Sequence, residues 1–150
     1  MVSETHERLL DSYAAFNAGG SPAWDLFHPS IQHDQTEGLF LDGVFFGHDG
    51  IRAALAEIEA DWEDLTLQPE EIINLGSGRH LVLIRMRARV RDSHAELDAQ
   101  IAHLWEFDAD GLAIRWAVYG DRTAAMRALS ATGPFESSLQ VAQRPLLPPR

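Results

Sequence analysis

Arg79-His80-Leu81-Val82-Leu83-Ile84-Arg85-Met86-Arg87-Ala88-Arg89-Val90-Arg91 is the stretch that decides the fold. Positions 85, 87, 89 and 91 are all arginine, while Val82, Ile84, Met86, Ala88 and Val90 fill the even positions between and before them. A period of two means a strand with one buried and one wet face, which is the mark of an antiparallel sheet. Asp92-Ser93-His94 then turns the chain, and residues 96–107 read as the next strand. Asp108-Ala109-Asp110-Gly111 is a second turn, followed by a last strand over residues 112–119.

Hairpin geometry predicts a register. With Arg91 opposite Glu96, Arg89 faces Asp98 and Arg87 faces Gln100 on one side of the sheet. On the other side Met86 faces Ile101 and Ile84 faces His103. With Phe107 opposite Leu112, His103 faces Trp116 and Ile101 faces Val118. A slip of one residue would set arginines against leucine and isoleucine, so parity is well specified. The apolar face carries Val82, Ile84, Met86, Leu97, Ile101, Trp105, Phe107, Ile114, Trp116 and Val118, with His103 as the ionisable group among them. A histidine there is either a core residue satisfied by one hydrogen bond or an acid/base group at the floor of a ligand pocket.

Upstream of the strands the period is helical. Ser3 is an N-cap candidate, and Leu9, Leu10, Tyr13, Ala14 and Phe16 recur at helical spacing until Gly19-Gly20. Ser21-Pro22 is expected to open a short second helix burying Trp24 and Phe27 and stopping at His28-Pro29. Residues 31–36 read as a strand in which His33 faces out, and Val44-Phe45-Phe46 as a strand or hairpin edge. A third helix is expected from Gly50 to about Glu63, capped by Asp49, with Ile51, Ala54, Leu55, Ile58 and Trp62 inside. Residues 72–75 predict a strand, and Asp121 caps a final helix over 123–129. Residues 130–150, rich in proline, read as a disordered tail or an arm on a partner subunit, leaving 1–129 as one domain.

Composition narrows the function classes. The chain has 150 residues and a net charge of −11, which disfavours phosphate backbones and makes nucleic acid an unexpected partner. Cysteine is absent, excluding thiolate catalysis and zinc–thiolate sites. Every basic residue is arginine, so lysine Schiff-base chemistry is excluded as well. No apolar run reaches the roughly 20 residues of a membrane helix, and the acidic-polar start lacks signal-peptide character; a cytoplasmic location is the expectation. His28, His33 and Asp34 match no zinc spacing, so no metal and no cofactor is expected.

Several segments carry a family resemblance. Tyr13-Ala14-Ala15-Phe16-Asn17-Ala18-Gly19, Leu26-Phe27-His28-Pro29 with Gln32-His33-Asp34, and Gly47-His48-Asp49-Gly50-Ile51-Arg52 resemble SnoaL-like proteins of the nuclear-transport-factor-2-like superfamily. So do Ala102-His103-Leu104-Trp105 before Asp110-Gly111, and Tyr119-Gly120-Asp121-Arg122. The resemblance implies a cone-shaped α+β barrel: a curved antiparallel sheet, three N-terminal helices over its concave face and a short C-terminal helix. It implies a homodimer through the outer sheet face, bearing Arg85, Arg87, Arg89, Glu96, Asp98, Gln100, Leu104 and Tyr119. Asp34 matches the place of the ketosteroid isomerase base, and His103 that of the acidic oxyanion donor. The isomerase tyrosine falls at Ser12, with Tyr13 one position off and pointing elsewhere; the cyclase aspartate falls at Ala117 or Val118. The arginines lie on the wrong face for an epoxide hydrolase of the limonene type.

Two functions follow as expectations. One is an isomerase, cyclase or dehydratase with Asp34 as base and His103 as acid or oxyanion donor, acting on a small apolar or aromatic carbonyl compound. The pocket would be built from Tyr13, Trp24, Phe27, Ile84, Met86, Ile101, Trp105, Trp116 and Val118, and burial there would raise the Asp34 pKa. The other is a non-catalytic module binding a small ligand or a second copy, favoured by Ser12 and Ala117.

Overall fold

The computed structural model describes residues 3–130. Helix α1 (Glu4–Gly19) begins where the Ser3 side chain accepts the His6 amide at 3.1 Å, and it ends on Gly20 at φ 75°. Its buried side chains, Leu9, Ser12, Tyr13 and Phe16, follow the i, i+3, i+4, i+7 stripe of an amphipathic helix. The expected second helix is one 3-10 turn, Trp24–Leu26, with no side-chain cap. Phe27 already belongs to strand β1 (Phe27–Glu37). Strand β2 (Val44–Phe46) leads into α2 (Gly47–Asp61), whose buried face is Ile51, Ala54 and Ile58.

Strand β3 (Trp62–Gly76) starts ten residues before the segment expected from the sequence, and it takes Trp62 out of the helix. Register shifts near Glu63, Pro69 and Asn74 interrupt its ladder with β4 (Arg79–Val90), which scrambles the alternation that would have revealed it. Strands β5 (Glu96–Phe107) and β6 (Ala113–Tyr119) and helix α3 (Arg122–Ser130) complete the order, with Asp121 capping α3 through the Ala124 amide.

The six strands form one curved, unclosed sheet in the order β2-β1-β6-β5-β4-β3, antiparallel except where β1 runs parallel to β6. This is an α+β fold with three α-helices, two before the long strands and one after them. The predicted parity of β4, β5 and β6 is observed, but both registers sit two residues away from the simple hairpin geometry. Arg89 faces Glu96, Arg87 faces Asp98 and Ile84 faces Ile101; Trp105 faces Trp116 and His103 faces Val118. The turn after β4 is wider than assumed: the Val90 amide bonds the Ala95 carbonyl, and His94 adopts φ 61°. A bulge at Glu106–Phe107 shifts the second hairpin.

Polar side chains pin the helices to the sheet. Asn17 clamps the Leu67 backbone, donating to its carbonyl at 2.9 Å and accepting from its amide at 2.8 Å. Arg8 donates to the Gly111 carbonyl at 2.7 Å, tying α1 to the β5–β6 turn. The inner face buries the main core, including Leu9, Ile31, Val82, Ile84, Met86 and Trp105. Helix α3 covers part of the outer face, burying Leu81, Ala102, Leu104, Ala117 and Tyr119 with Ala125 and Leu129. Leu104 and Tyr119, expected on a dimer face, are therefore consumed within the chain. Ile114, expected inside, is 40% exposed. The proline-rich tail beyond Ser130 lies outside the described residues.

Candidate functional site

Strand β5 brings His103 to the inner face by parity, and burial leaves it 2% exposed. Its Nδ1 lies 2.7 Å from Tyr13 Oη, and Trp105 Nε1 donates to the same oxygen at 3.0 Å. The indole can only donate, and no other acceptor for the phenol is found among the described residues, so the Tyr13 O–H donates to His103 Nδ1. The chain Trp105→Tyr13→His103 thus leaves the proton of a neutral imidazole on Nε2. That nitrogen meets no partner among the described residues, and His103 lines the cavity beside it. Burial first, and the neighbouring His33 second, push the His103 pKa down to about 3, so it is neutral at physiological pH.

Strand β1 supplies the second half of the site with a parity opposite to that expected. Ile31, His33 and Gln35 point inward, and His33 is 1% exposed. His33 Nδ1 lies 3.1 Å from the Trp116 carbonyl, which can only accept, so Nδ1 carries the proton. Its Nε2 accepts from Gln35 Nε2 at 3.0 Å. The ring sits 3.9 Å from Trp116, which is itself stacked on Trp105 at 4.9 Å. Burial lowers the His33 pKa to about 4 against the opposing backbone hydrogen bond. The Trp116 indole N–H is buried without a partner among the described residues, at a typical cost of about 1–3 kcal/mol.

Asp34 occupies the other face. Its carboxylate accepts from Arg115 at 3.1 Å and from the Thr36 hydroxyl at 2.7 Å. Burial pushes its pKa up, but the hydrogen bonds from Thr36 and Arg115 outweigh this and hold it below the ordinary value, opposite to the expectation. Arg115 also binds Glu106 at 3.2 Å, and Arg79 approaches Glu106 at 3.7 Å, so the four charges run across β1, β6, β5 and β4 on the outer side. The structure does not bring Asp34 and His103 together. Neither does it leave Tyr13 pointing elsewhere.

The cavity lies between α1, α2 and the inner sheet face and measures about 40 Å³, room for a few waters at the ~10–15 Å³ each requires. Of the expected lining, His103, Met86, Ile101, Trp116 and Val118 face it. Tyr13, Trp24, Phe27, Ile84 and Trp105 form core behind it instead; Trp24 packs on Phe27 and lies under the Arg52 guanidinium. The rest of the wall was not anticipated: Phe16 from α1, Leu55 and Ile58 from α2, Leu65 and Leu67 from β3, and His33 and Gln35 from β1. Leu39 and Phe40, in the loop after β1, complete it. A signal for β1 existed, because Phe27 and Ile31 share the parity of His33 and Gln35. No group of three or more metal-ligating side chains occurs among the described residues.

A model of the SnoaL-like domain matches residues 9–116. The chain belongs to the SnoaL-like family. This SnoaL-like chain superposes with a TM-score of 0.67 on a nuclear-transport-factor-2-like protein of unknown function from Burkholderia pseudomallei, at 21% identity, covering 87% of this chain and 100% of that one. It matches TerC, co-crystallised with polyporic acid, at 27% identity and a TM-score of 0.67, again over 87% and 100%. A Jannaschia protein assigned to the SnoaL-like polyketide cyclases by similarity matches at 17% identity and a TM-score of 0.65, over 89% and 99%. Among curated proteins, the polyribonucleotide nucleotidyltransferase of Rhodospirillum rubrum is 27% identical over 93% of this chain. The SnoaL-like chain spans only 20% of that relative's length.

Proposed function

We propose that this SnoaL-like chain takes a small, largely apolar carbonyl compound into the inner cavity and hydrogen-bonds its oxygen to His103 Nε2–H. The observation that carries this reading is the Trp105→Tyr13→His103 chain, which fixes the imidazole as a neutral donor aimed away from its own support. A buried, preorganised donor stabilises negative charge developing on a bound oxygen, and one such donor typically contributes about 10²–10³ in kcat. The matching reactions are cofactor-independent isomerisation, cyclisation or dehydration, in which a carbonyl passes through an enolate-like state. Asp34 plays no part, because Arg115 and Thr36 hold it on the far side of the sheet. A proton leaving the substrate would pass to water or to a group of the substrate itself. An aromatic ligand requires Leu39 and Phe40 to swing outward, since the cavity as it stands is narrow. The polyporic acid co-crystallised with TerC, and the trimethylamine in complex with a protein of ketosteroid-isomerase-like fold from Catenulispora acidiphila, support a ligand-binding role.

A second reading, binding without catalysis, is favoured by one observation: the described lining contains no carboxylate. Deuterium exchange into the α-carbon of cyclohexenones separates the two. Catalysis predicts enzyme-dependent exchange that falls at least a hundredfold in His103→Ala. Saturable binding with no exchange above solvent would leave the chain a binding module, and no binding at all would refute both.

A further inference from the structure

We infer that Gln35 is a specificity-determining residue: its carboxamide oxygen accepts a hydrogen bond from the ligand, so the cavity selects neutral molecules that carry an N–H or O–H donor beside their carbonyl. This rests on the reading of His103 as the carbonyl donor.

The orientation of the amide follows from its neighbours. The Trp116 carbonyl forces the proton of His33 onto Nδ1, which makes His33 Nε2 an acceptor. Gln35 must therefore present its NH₂ group to His33, as the 3.0 Å contact has it, and its oxygen points the other way. Gly38 leaves that oxygen its room: a Cβ there would overlap Gln35 Oε1 and force the amide end to shift. Gln35 is 5% exposed and lines the cavity. Its Oε1 has no donor among the described residues and is not among the sealed, unpartnered atoms, so it keeps some exposure; because Gln35 is part of the cavity wall, we assign that exposure to the cavity.

Among the described residues the cavity thus offers one free donor, His103 Nε2–H, and one free acceptor, Gln35 Oε1, in a largely apolar wall. A buried acceptor left unmatched penalises ligands that lack a donor, which makes the oxygen a discriminating group. Both imidazoles are neutral and no cation lines the cavity among the described residues, so a carboxylate finds no compensating charge there. A lactam or a hydroxy-carbonyl compound matches the pair.

The test compares 2-pyridone, which has adjacent C=O and N–H groups, with N-methyl-2-pyridone, which lacks the donor. Both are titrated by NMR into the wild-type chain and Gln35→Leu, following the His103 imidazole and the Gln35 side-chain amide. The expected result is a three- to tenfold preference for 2-pyridone in the wild type, collapsing toward unity in Gln35→Leu. Comparing ligand ratios across the two proteins cancels the bulk of the added methyl. The Gln35 amide should move with 2-pyridone and stay still with the methyl derivative. Equal preference in both proteins, with His103 responding and the Gln35 amide silent, would overturn this inference and leave the carbonyl reading standing. No response of His103 to either probe would overturn both. Should Gln35→Leu fail to fold, the wild-type amide response decides alone.

Discussion

Lowering the pH from 7 to 5 is expected to remove about 4 kcal/mol of folding stability through His33 and His103 alone. Both imidazoles are almost fully buried, 1% and 2% exposed, and held neutral with pKa values near 4 and 3. In the unfolded chain each returns to its ordinary value near 6.5 and takes up a proton as the pH falls. The unfolded state then binds more protons than the folded one, so stability falls with falling pH. The full contribution is present above about pH 6.5, and the loss continues until the folded values near 4 and 3 are reached. Between pH 7 and 5 each unfolded imidazole gains about 1.4 pKa units of binding free energy, or about 2 kcal/mol at 1.36 kcal/mol per unit. This figure holds for any folded pKa well below 5. Against a total stability of about 5–15 kcal/mol it is a large share. Urea unfolding followed by tryptophan fluorescence at pH 7, 6 and 5 measures it, with Trp105 and Trp116 reporting from the core. His33→Gln and His103→Asn should each lose about 2 kcal/mol of the pH dependence, whatever their stability at pH 7. A wild-type change below about 1 kcal/mol, or variants that keep the full slope, would show that the imidazoles are solvated or already charged in the fold.

Tyr13→Phe leaves His103 Nδ1 and Trp105 Nε1 without a shared partner and should cost about 1–3 kcal/mol, while the long-range ¹⁵N spectrum of His103 shifts from a pure Nε2–H tautomer to a mixture. Asp34→Asn should leave carbonyl binding and exchange within about twofold of wild type, because its partner Arg115 lies across the sheet from the cavity; a hundredfold loss would restore Asp34 as a base. Ile84→Ala, at a fully buried position, should cost about 2–5 kcal/mol in urea melts, with Met86 and Ile101 nearby unable to fill the space. Gly78→Ala should destabilise by more than 1 kcal/mol, since Gly78 has φ 79° and its new methyl would crowd the Phe107 carbonyl.

The parity of the three long strands was legible because apolar and charged residues alternate without a break from Ile84 to Val90, and a period of two admits only one buried face. The same arithmetic put His103 inside. Register was legible only to within two residues, since a shift of two preserves every facing and therefore leaves no trace in the pattern; the wide turn at His94 and the bulge at Glu106 decided it. Strand β1 shows the opposite failure. Phe27 and Ile31 share the inward parity of His33, and Asp34, at the place of an isomerase base, instead faces outward into an ion pair that spans β1 and β6.

By itself the sequence determined the α+β class, the helix caps at Ser3 and Asp121, and which face of β4, β5 and β6 is dry, because these depend on neighbours a few residues apart. Tertiary structure decided the site. Tyr13 and His103 are 90 residues apart, and His33 meets the Trp116 carbonyl across 83. The hydrogen bonds that choose a tautomer and orient an amide form only between such distant segments, so their chemistry exists in the packed sheet and not in any local pattern.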